Sequence, residues 1–417
     1  MIAPAHLDPE SLPRPADRAV AVRVRPAAER ALRSGHPWLF EESVTSVSRQ
    51  ADAGDAAVVF DGKNRFLAAG LYDPDDLIRV RVLAHREPEE IGPDMFRRRV
   101  EAALRLRSDV ISAGTTGFRV LSGENDAMPG LVVDQYERTL VLELFTAAWL
   151  PRLREIVPVL EELLGPERIL LLVSTRVAAS PACPAGATDG AVLRGSEPDD
   201  GVPFLETGLR FEAHPFEGHK TGFYLDQREN RRRLEARTSG ARVLNVFSYT
   251  GGFSLYAARG GASEVVSVDQ AAPALAQARR HFELNARDGN VAACRHRTVE
   301  GDAFEVMEGL DGDRERFDVV VIDPPSFARA TRHREKALAA YRALTSLALP
   351  LVRPGGLLVQ ASCSSRVGAN EFFAAVGDAA RGAGRRLHEL ERTGHPPDHP
   401  VTFPEGAYLK CMWARVP

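Results

Sequence analysis

The chain has 417 residues, 44% of them hydrophobic and 26% charged, with a formal net charge of −4. That length exceeds one ordinary core and predicts two or three domains, and the composition is that of a globular protein rather than a disordered or fibrous one. The slightly negative balance excludes a generic polyanion binder, so any nucleic-acid surface must be a local basic patch.

Four cysteines, Cys183, Cys294, Cys363 and Cys411, are widely spaced and form no C-x-x-C pair. This argues against a zinc knuckle or a disulfide framework and for a reducing, cytoplasmic setting. His219 and Lys220 have no metal-ligand spacing around them, and no metal site is expected. The first residues, "MIAPAHLDPESLPRPADR", place acids and prolines where a signal peptide needs a basic start and an apolar run. No stretch approaches the roughly 18 apolar residues of a membrane span.

Residues 1–18 read as a disordered tail. From about 20 to 84 the pattern is short strands and turns. "AVRVR" and "LIRVRVLA" alternate with the period of half-buried strands, and "DAAVVFDGKNRFLAAGLYD" reads as a hairpin around "DGKN". Trp38 and Phe40 are expected in the core of this small β-rich unit. "PDMFRRRVEAALRLRSDVI" follows as one helix, with Met95, Val100, Ala103 and Leu104 on one side. Strands "GLVVDQY" and "TLVLELF", the helix "LPRLREIVPVLEELLG" and the strand "RILLLVST" come next. Residues 177–203 are dominated by small residues, proline and glycine and read as a flexible linker.

From about 240 strands and helices alternate: "RVLNVFS", "EVVSVD", the helix "APALAQARRHFELNA", "FDVVVIDPPSF", the helix "LTSLALPLV" and "GGLLVQASC". Such alternation means a parallel sheet with helices on both faces. A ligand should then lie beyond the carboxyl ends of the strands, at the point where strand order reverses.

The glycines of "SYTGGFS" do not fit G-x-G-x-x-G, which argues against a dinucleotide pyrophosphate. They do allow close backbone approach, and Asp269, about 20 residues on, is placed to accept hydrogen bonds from ribose hydroxyls. S-adenosylmethionine, with a ribose and an amino-acid tail but no phosphate, fits these features better than a nicotinamide cofactor; Asp269 is equally placed to cap the following helix. "DVVVIDPPSF" ends a strand in an acid, two prolines and an aromatic. Asp323 can orient a planar base, Pro324 stiffens the loop and Phe327 offers a stacking face, against the plainer reading of a strand-ending turn. Cys363 follows another strand in "LVQASCSSR". A lone cysteine there is more often core, but on the same rim as "DPPSF" it reads as a nucleophile. A thiolate, favoured by neighbouring Arg366, adds to C6 of a pyrimidine and makes C5 nucleophilic enough to accept a methyl group.

The stretches "GHPWLF" (35–40), "GENDAMPGLVVDQY" (123–136), "GHKTGFYLDQRENRR" (218–232), "VLNVFSYTGGFS" (243–254), "DPPSF" (323–327), "SCS" (362–364) and "DHPVTFPEGAYLK" (398–410) run in order along the chain. On them the chain resembles the bacterial ribosomal RNA large-subunit methyltransferase family, in particular its cytosine-C5 branch. The resemblance implies an α/β fold with a PUA-like RNA-binding domain over 20–95, an α+β middle domain over 96–215, and a class I, Rossmann-like methyltransferase domain over 216–417. It implies Phe247, Ser248, Thr250, Gly251, Asp269 and Asp302 around S-adenosylmethionine, with Gln227 closing over it, and Cys363 as nucleophile. The substrate so implied is large-subunit ribosomal RNA or its precursor, with no membrane partner and with a homodimer left open. Two departures stand out. "RVAASPACPAGATDG" replaces a basic run in the middle domain, and Ser326 stands where a lysine is commoner.

Arginines cluster at Arg228, Arg231, Arg232, Arg233 and Arg237, at Arg97, Arg98 and Arg99, and at Arg23, Arg25, Arg30 and Arg33. Such runs are usually solvated faces. The resemblance favours phosphate binding for the first and third, with Arg228 as a substrate contact. Three other readings remain: methylation of an exocyclic amine or ring nitrogen with Cys363 a bystander, an RNA-binding assembly factor with a vestigial cofactor site, and a small-molecule methyltransferase.

Overall fold

The computed structural model describes residues 5–198, 200–216, 218–328 and 331–417. The chain divides into two compact units. One is Met1–Gly208 with Glu212–Leu225 and Pro397–Phe403; the other is Leu209–Phe211 with Asp226–Pro396 and Pro404–Pro417.

The first unit opens with β1 (Val20–Val24), α1 (Pro26–Arg33), β2 (Trp38–Phe40), β3 (Val44–Val47), β4 (Ala56–Phe60), β5 (Phe66–Tyr72) and β6 (Ile78–His85). They form a six-stranded sheet in the order β2-β6-β5-β4-β1-β3. The expected hairpin is β4–β5: Asp61 Oδ1 accepts the Lys63 and Arg65 N–H groups at 2.8 and 2.9 Å, which folds the "DGKN" turn. Leu39 is buried, but Trp38 is only half-buried and Phe40 is 36% exposed, so these two aromatics do not form the core expected of them. The strand alternates, and the two rings lie on its outward face.

A second sheet in this unit is built from α2 (Pro93–Leu106), α3 (Ser108–Ser112), β7 (Gly117–Ser122), β8 (Leu131–Tyr136), β9 (Thr139–Leu144), α4 (Leu153–Leu164), β10 (Arg168–Val173), α5 (Thr175–Ala178) and β11 (Ala191–Arg194), with strand order β11-β10-β9-β8-β7. The helix expected to run on to Ile111 is interrupted at Arg107. Its buried guanidinium binds Asp126 at 2.8 and 2.6 Å and the Arg119 carbonyl at 2.9 Å, contacts that a continuous helix would not place. The stretch taken as a linker is partly a strand: β11 pairs antiparallel with β10 and buries Ala191, Val192 and Leu193. Over the described residues 5–18, the tail expected to be disordered packs against the unit. The Leu7 N–H donates to the Val192 carbonyl at 3.0 Å, and Leu7 and Leu12 enter the core; residues 1–4 lie outside the described residues. β12 (Val202–Glu206) and β13 (Leu209–Ala213) form a separate two-stranded sheet.

The second unit alternates as expected: α6 (Arg228–Glu235), β14 (Arg242–Val246), α7 (Gly252–Arg259), β15 (Glu264–Asp269), α8 (Ala272–Leu284), α9 (Gly289–Ala293), β16 (Arg295–Glu300), α10 (Ala303–Gly312), β17 (Phe317–Ile322), α11 (Arg334–Leu351), β18 (Val352–Ser362), α12 (Ala369–Gly382), β19 (His388–Thr393) and β20 (Lys410–Arg415). The sheet order is β16-β15-β14-β17-β18-β20-β19. The first five of these are parallel, and β20 is antiparallel to both its neighbours. Central strands covered on both faces need apolar residues at every position. Val243, Val265, Val319 and Val321 accordingly pack into one layer, and Leu244, Val246, Val266, Val268, Val320 and Ile322 into the other. The chain runs from β14 outward through β15 to β16, then returns to β17 on the other side of β14. The order therefore reverses between β14 and β17, and a crevice opens at their carboxyl ends.

Candidate active site

The loop after β14 is held by backbone contacts to the next strand. The Ser248 N–H donates to the Val268 carbonyl at 2.9 Å, and the Tyr249 N–H donates to Asp269 Oδ2 at 2.7 Å. Asp269 Oδ1 accepts the Ala271 N–H at 3.0 Å, so this carboxylate fastens the glycine loop to the start of α8. Phe247 and Tyr249 adopt positive φ of 60° and 48°, which only a tightly fixed loop sustains. Gly251 has φ +77°, and a Cβ there would lie 2.8 Å from the Ala278 Cβ, so glycine is required on both counts. His281, fully buried, donates from Nδ1 to the Thr250 carbonyl at 2.8 Å and braces the loop from α8.

Two hydroxyls of this loop, Ser248 Oγ and Thr250 Oγ1, are buried without a hydrogen-bond partner among the described residues. Buried polar groups ordinarily have partners, and a ligand with ribose and amino-acid groups supplies them. That chemistry, with the cradle at Gly251, fits S-adenosylmethionine. Asp302, at the end of the neighbouring strand, caps α10 by accepting the Phe304 N–H at 2.9 Å, and it is exposed.

The other half of the rim gathers a second cluster. Asp323 follows β17 and Cys363 follows β18, and Cys363 Sγ lies 3.9 Å from Asp323 Oδ1. Gln227, immediately before α6, donates from Nε2 to Asp323 Oδ1 at 2.9 Å and lies 3.9 Å from Cys363 Sγ. Pro324 is buried, and Phe327 meets Phe247 edge-on at 6.4 Å and Tyr341 at 5.4 Å, so the loop after β17 reaches the glycine loop through two rings. Tyr341 donates to or accepts from Ser362 Oγ at 2.8 Å, and burial pushes its phenol up to about 12. Ser326 is exposed, and the chain beyond Ala328 leaves the described residues at 329 and 330.

The Cys363 loop is tied down by a residue the sequence reading did not single out. Lys410 is buried, and its Nζ donates to the carbonyls of Ser364, of Val367 at 2.7 Å and of Tyr408 at 3.1 Å. Burial lowers its pKa to about 8, which leaves it mostly charged at neutral pH. The remaining cysteines stand apart chemically. Burial pushes the Cys183 thiol up, Cys294 up to about 11 and Cys411 higher still, so all three are held as neutral thiols. Arg366, expected to favour the Cys363 thiolate, is exposed, with its N–H on Ser364 Oγ.

Arg228 is 1% exposed and Arg231 is 2% exposed, so neither belongs to a solvated basic face. Arg232 pairs with Glu229, and Arg233 and Arg237 pair with Glu391. Arg97 and Arg98 are held by Glu162 and Glu89. Arg23, Arg25 and Arg30 are exposed, and Arg33 pairs with Asp61. No group of three or more metal-ligating side chains occurs among the described residues, and no described helix is long and apolar enough to cross a membrane. Other residues that organise the rim were also not singled out, namely Asn230, Thr393, Trp413 and His281. Asn230 alone carried a local signal, standing one helical turn after Gln227.

The fold, the glycine loop and the strand-end acids define an S-adenosylmethionine-dependent methyltransferase. The family model described as S-adenosylmethionine-dependent methyltransferase matches residues 183–415, and that described as PUA-like domain matches 22–85. Two solved methyltransferase structures, one of them from Streptococcus mutans and the other complexed with SAH, superpose with TM-scores of 0.79 and 0.80 at 22% identity, over 95% of this chain and 100% of theirs. The Deinococcus radiodurans protein named ribosomal RNA large subunit methyltransferase is 46% identical over 95% of this chain and 97% of its own. The Pseudoalteromonas translucida ribosomal RNA large subunit methyltransferase I is 37% identical over 95% of this chain and 99% of its own. The chain belongs to the ribosomal RNA large-subunit methyltransferase family.

Proposed function

We propose that the protein methylates C5 of a cytosine in large-subunit ribosomal RNA, or its precursor, through a covalent adduct with Cys363. The observation that carries this reading is the cluster at the carboxyl ends of β17 and β18. A half-buried thiol there stands beside a carboxylate and an amide donor. The names of the relatives support the substrate.

S-adenosylmethionine, when bound, supplies the methyl group that C5 takes up. Ser248, Thr250, Gly251, Asp269 and Asp302 hold it, with Phe247 beside the base. Cys363 adds as thiolate to C6 of the cytosine, breaking the aromaticity of the ring and turning C5 into a nucleophile. After methylation the C5 proton leaves to solvent and the C6–S bond breaks, which returns the thiolate and restores the ring. Asp323 accepts from the cytosine amino group, Pro324 fixes the loop that carries it, and Phe327 flanks the base. Residues 20–95 act as the RNA-binding domain, 96–215 as the middle domain and 216–417 as the catalytic domain. Arg228 is buried and pairs with Glu229, and as a substrate contact it does not meet phosphate.

The direct test is nucleoside analysis of large-subunit RNA methylated by the purified protein. 5-Methylcytidine is expected. A product methylated on nitrogen would instead support transfer by the Asp323–Phe327 loop, with Cys363 uninvolved.

A further inference from the structure

A chain of hydrogen bonds runs from β20 to the reacting cluster. Trp413 Nε1 donates to Thr393 Oγ1 at 3.0 Å, and the Thr393 hydroxyl donates to Asn230 Oδ1 at 2.6 Å. Asn230 Nδ2 donates to Gln227 Oε1 at 2.6 Å, and Gln227 Nε2 donates to Asp323 Oδ1 at 2.9 Å. Asn230 and Gln227 are each 1% exposed and Trp413 is fully buried, while Thr393 is half-buried.

The chain has a fixed sense. An indole N–H only donates, so Thr393 Oγ1 accepts from Trp413, and its own hydroxyl is turned to Asn230. Asn230 presents its oxygen to Thr393 and its nitrogen to Gln227, and Gln227 presents its oxygen to Asn230 and its nitrogen to the rim, where the Asp323 carboxylate accepts. An amide that could otherwise turn either way is thereby held with both N–H bonds toward Asp323 and Cys363. One reaches Asp323, and the other is left for the sulfur 3.9 Å away. The opposite orientation would aim an oxygen at a carboxylate and a thiolate, and it would leave Asn230 facing a donor with a donor.

We propose that Asn230, Thr393 and Trp413 are positioning residues that lock the Gln227 amide with its NH2 toward the rim, so that Gln227 donates a hydrogen bond to the Cys363 thiolate as it forms and as it is expelled. This rests on the covalent reading of Cys363. Among the described residues, the ionisable groups facing the sulfur include Asp323 after β17, Lys410 on β20 and Tyr341 on α11, and of these three the relay touches the first. Asp323 opposes the thiolate by charge and Lys410 supports it, and the Gln227 donor stands between sulfur and carboxylate.

The test is the pH profile of Cys363 alkylation by iodoacetamide, read on the Cys363 peptide by mass spectrometry in full-length protein. A change of donor is expected to move the midpoint alone, independently of RNA turnover. Thr393→Val removes the link at nearly constant shape, and Trp413→Phe removes the terminal donor while keeping an aromatic body. Each should raise the midpoint by about half a pH unit, and Gln227→Glu, which sets a second acid beside the sulfur, by about one unit or more. In Thr393→Val, kcat should fall about tenfold while KM for RNA and cofactor affinity change less than about twofold, as expected for an interaction made only along the reaction path. Gln227→Asn, too short to reach, should not restore the midpoint. An unchanged midpoint in folded Gln227→Glu, or in both relay variants, overturns the proposal. Retained turnover in Cys363→Ala overturns the covalent reading instead, and the two failures are read in different assays.

Discussion

Asp269 anchors the glycine loop, and the proposed function gives it a second duty toward the cofactor. Its oxygens accept the Tyr249 and Ala271 N–H groups, and as the strand-end acid beside the glycine loop it is placed to take ribose hydroxyls. Asp269→Ala should weaken S-adenosylmethionine binding by about 1–3 kcal/mol, the scale of lost hydrogen bonds to a charged group. Asp269→Asn keeps an acceptor oxygen and should lose less. Calorimetry on the folded variants checks this, and equal affinity in all three proteins would contradict the assignment. Lys410 makes a second prediction at this scale. Lys410→Met keeps the length of the side chain but leaves the Ser364, Val367 and Tyr408 carbonyls without their donor. Turnover should fall at least about tenfold and amide exchange over 363–368 should quicken, since the loss of buried partners costs about 1–3 kcal/mol. Cofactor affinity should hold, because the glycine loop lies on other strands. The sequence announced Asp269, Asp323 and Cys363 because each closes an apolar strand within a few residues. It was silent about Lys410, whose three partners are set by how β20 returns beside β18.

At the scale of elements, the outer strand of the parallel sheet carries a built-in sensitivity to acid. His296 on β16 shares a hydrogen bond with Ser267 Oγ on β15 at 2.9 Å and stacks on Phe282 of α8 at 3.8 Å. Burial, with Arg279 nearby, lowers its pKa to about 4. The folded form therefore binds this proton less readily than the unfolded chain. The stability it confers is complete above pH 6.5 and is lost as pH falls toward 4, an effect of up to about 3 kcal/mol. An NMR titration of the His296 ring should show its midpoint near 4; a midpoint at the ordinary histidine value would contradict the burial argument. The elements themselves were legible to different degrees. β14, β15, β17 and β18 were read directly, because strands covered on both faces are unbroken apolar runs. α1, β2, β3, β7, β12, β13, α6, α9, β16, α10, α12, β19 and β20 were passed over, many of them short or mixed in pattern, and β11 was hidden in a stretch of small residues whose strand character depends on pairing with β10.

For the whole molecule, the proposed function divides labour between an N-terminal RNA-binding region and a C-terminal catalytic one. Arg23, Arg25 and Arg30 are exposed in the first. Replacing all three with alanine should weaken RNA binding and flatten its salt dependence by a slope of about 2, roughly 0.7 for each lost phosphate contact, while cofactor affinity stays the same. An unchanged slope would place the RNA elsewhere. The order of family motifs along the chain made the PUA-like and methyltransferase regions readable in advance. The hydrogen-bonded path from Trp413 to Gln227 was not readable, since it joins residues up to 163 positions apart that meet only once the sheet is assembled. The central claim is that Cys363 bonds covalently to the base, and it is tested most directly by trapping. Large-subunit RNA carrying 5-fluorocytosine at the target should hold the wild-type protein, in the presence of S-adenosylmethionine, as a complex that survives denaturation, because fluorine at C5 cannot leave as a proton does. Alanine at Cys183, Cys294 or Cys411 should leave trapping intact, and Cys363→Ala should give no complex and no turnover. A Cys363→Ala protein that folds and still methylates the RNA at near-normal rate would contradict the account.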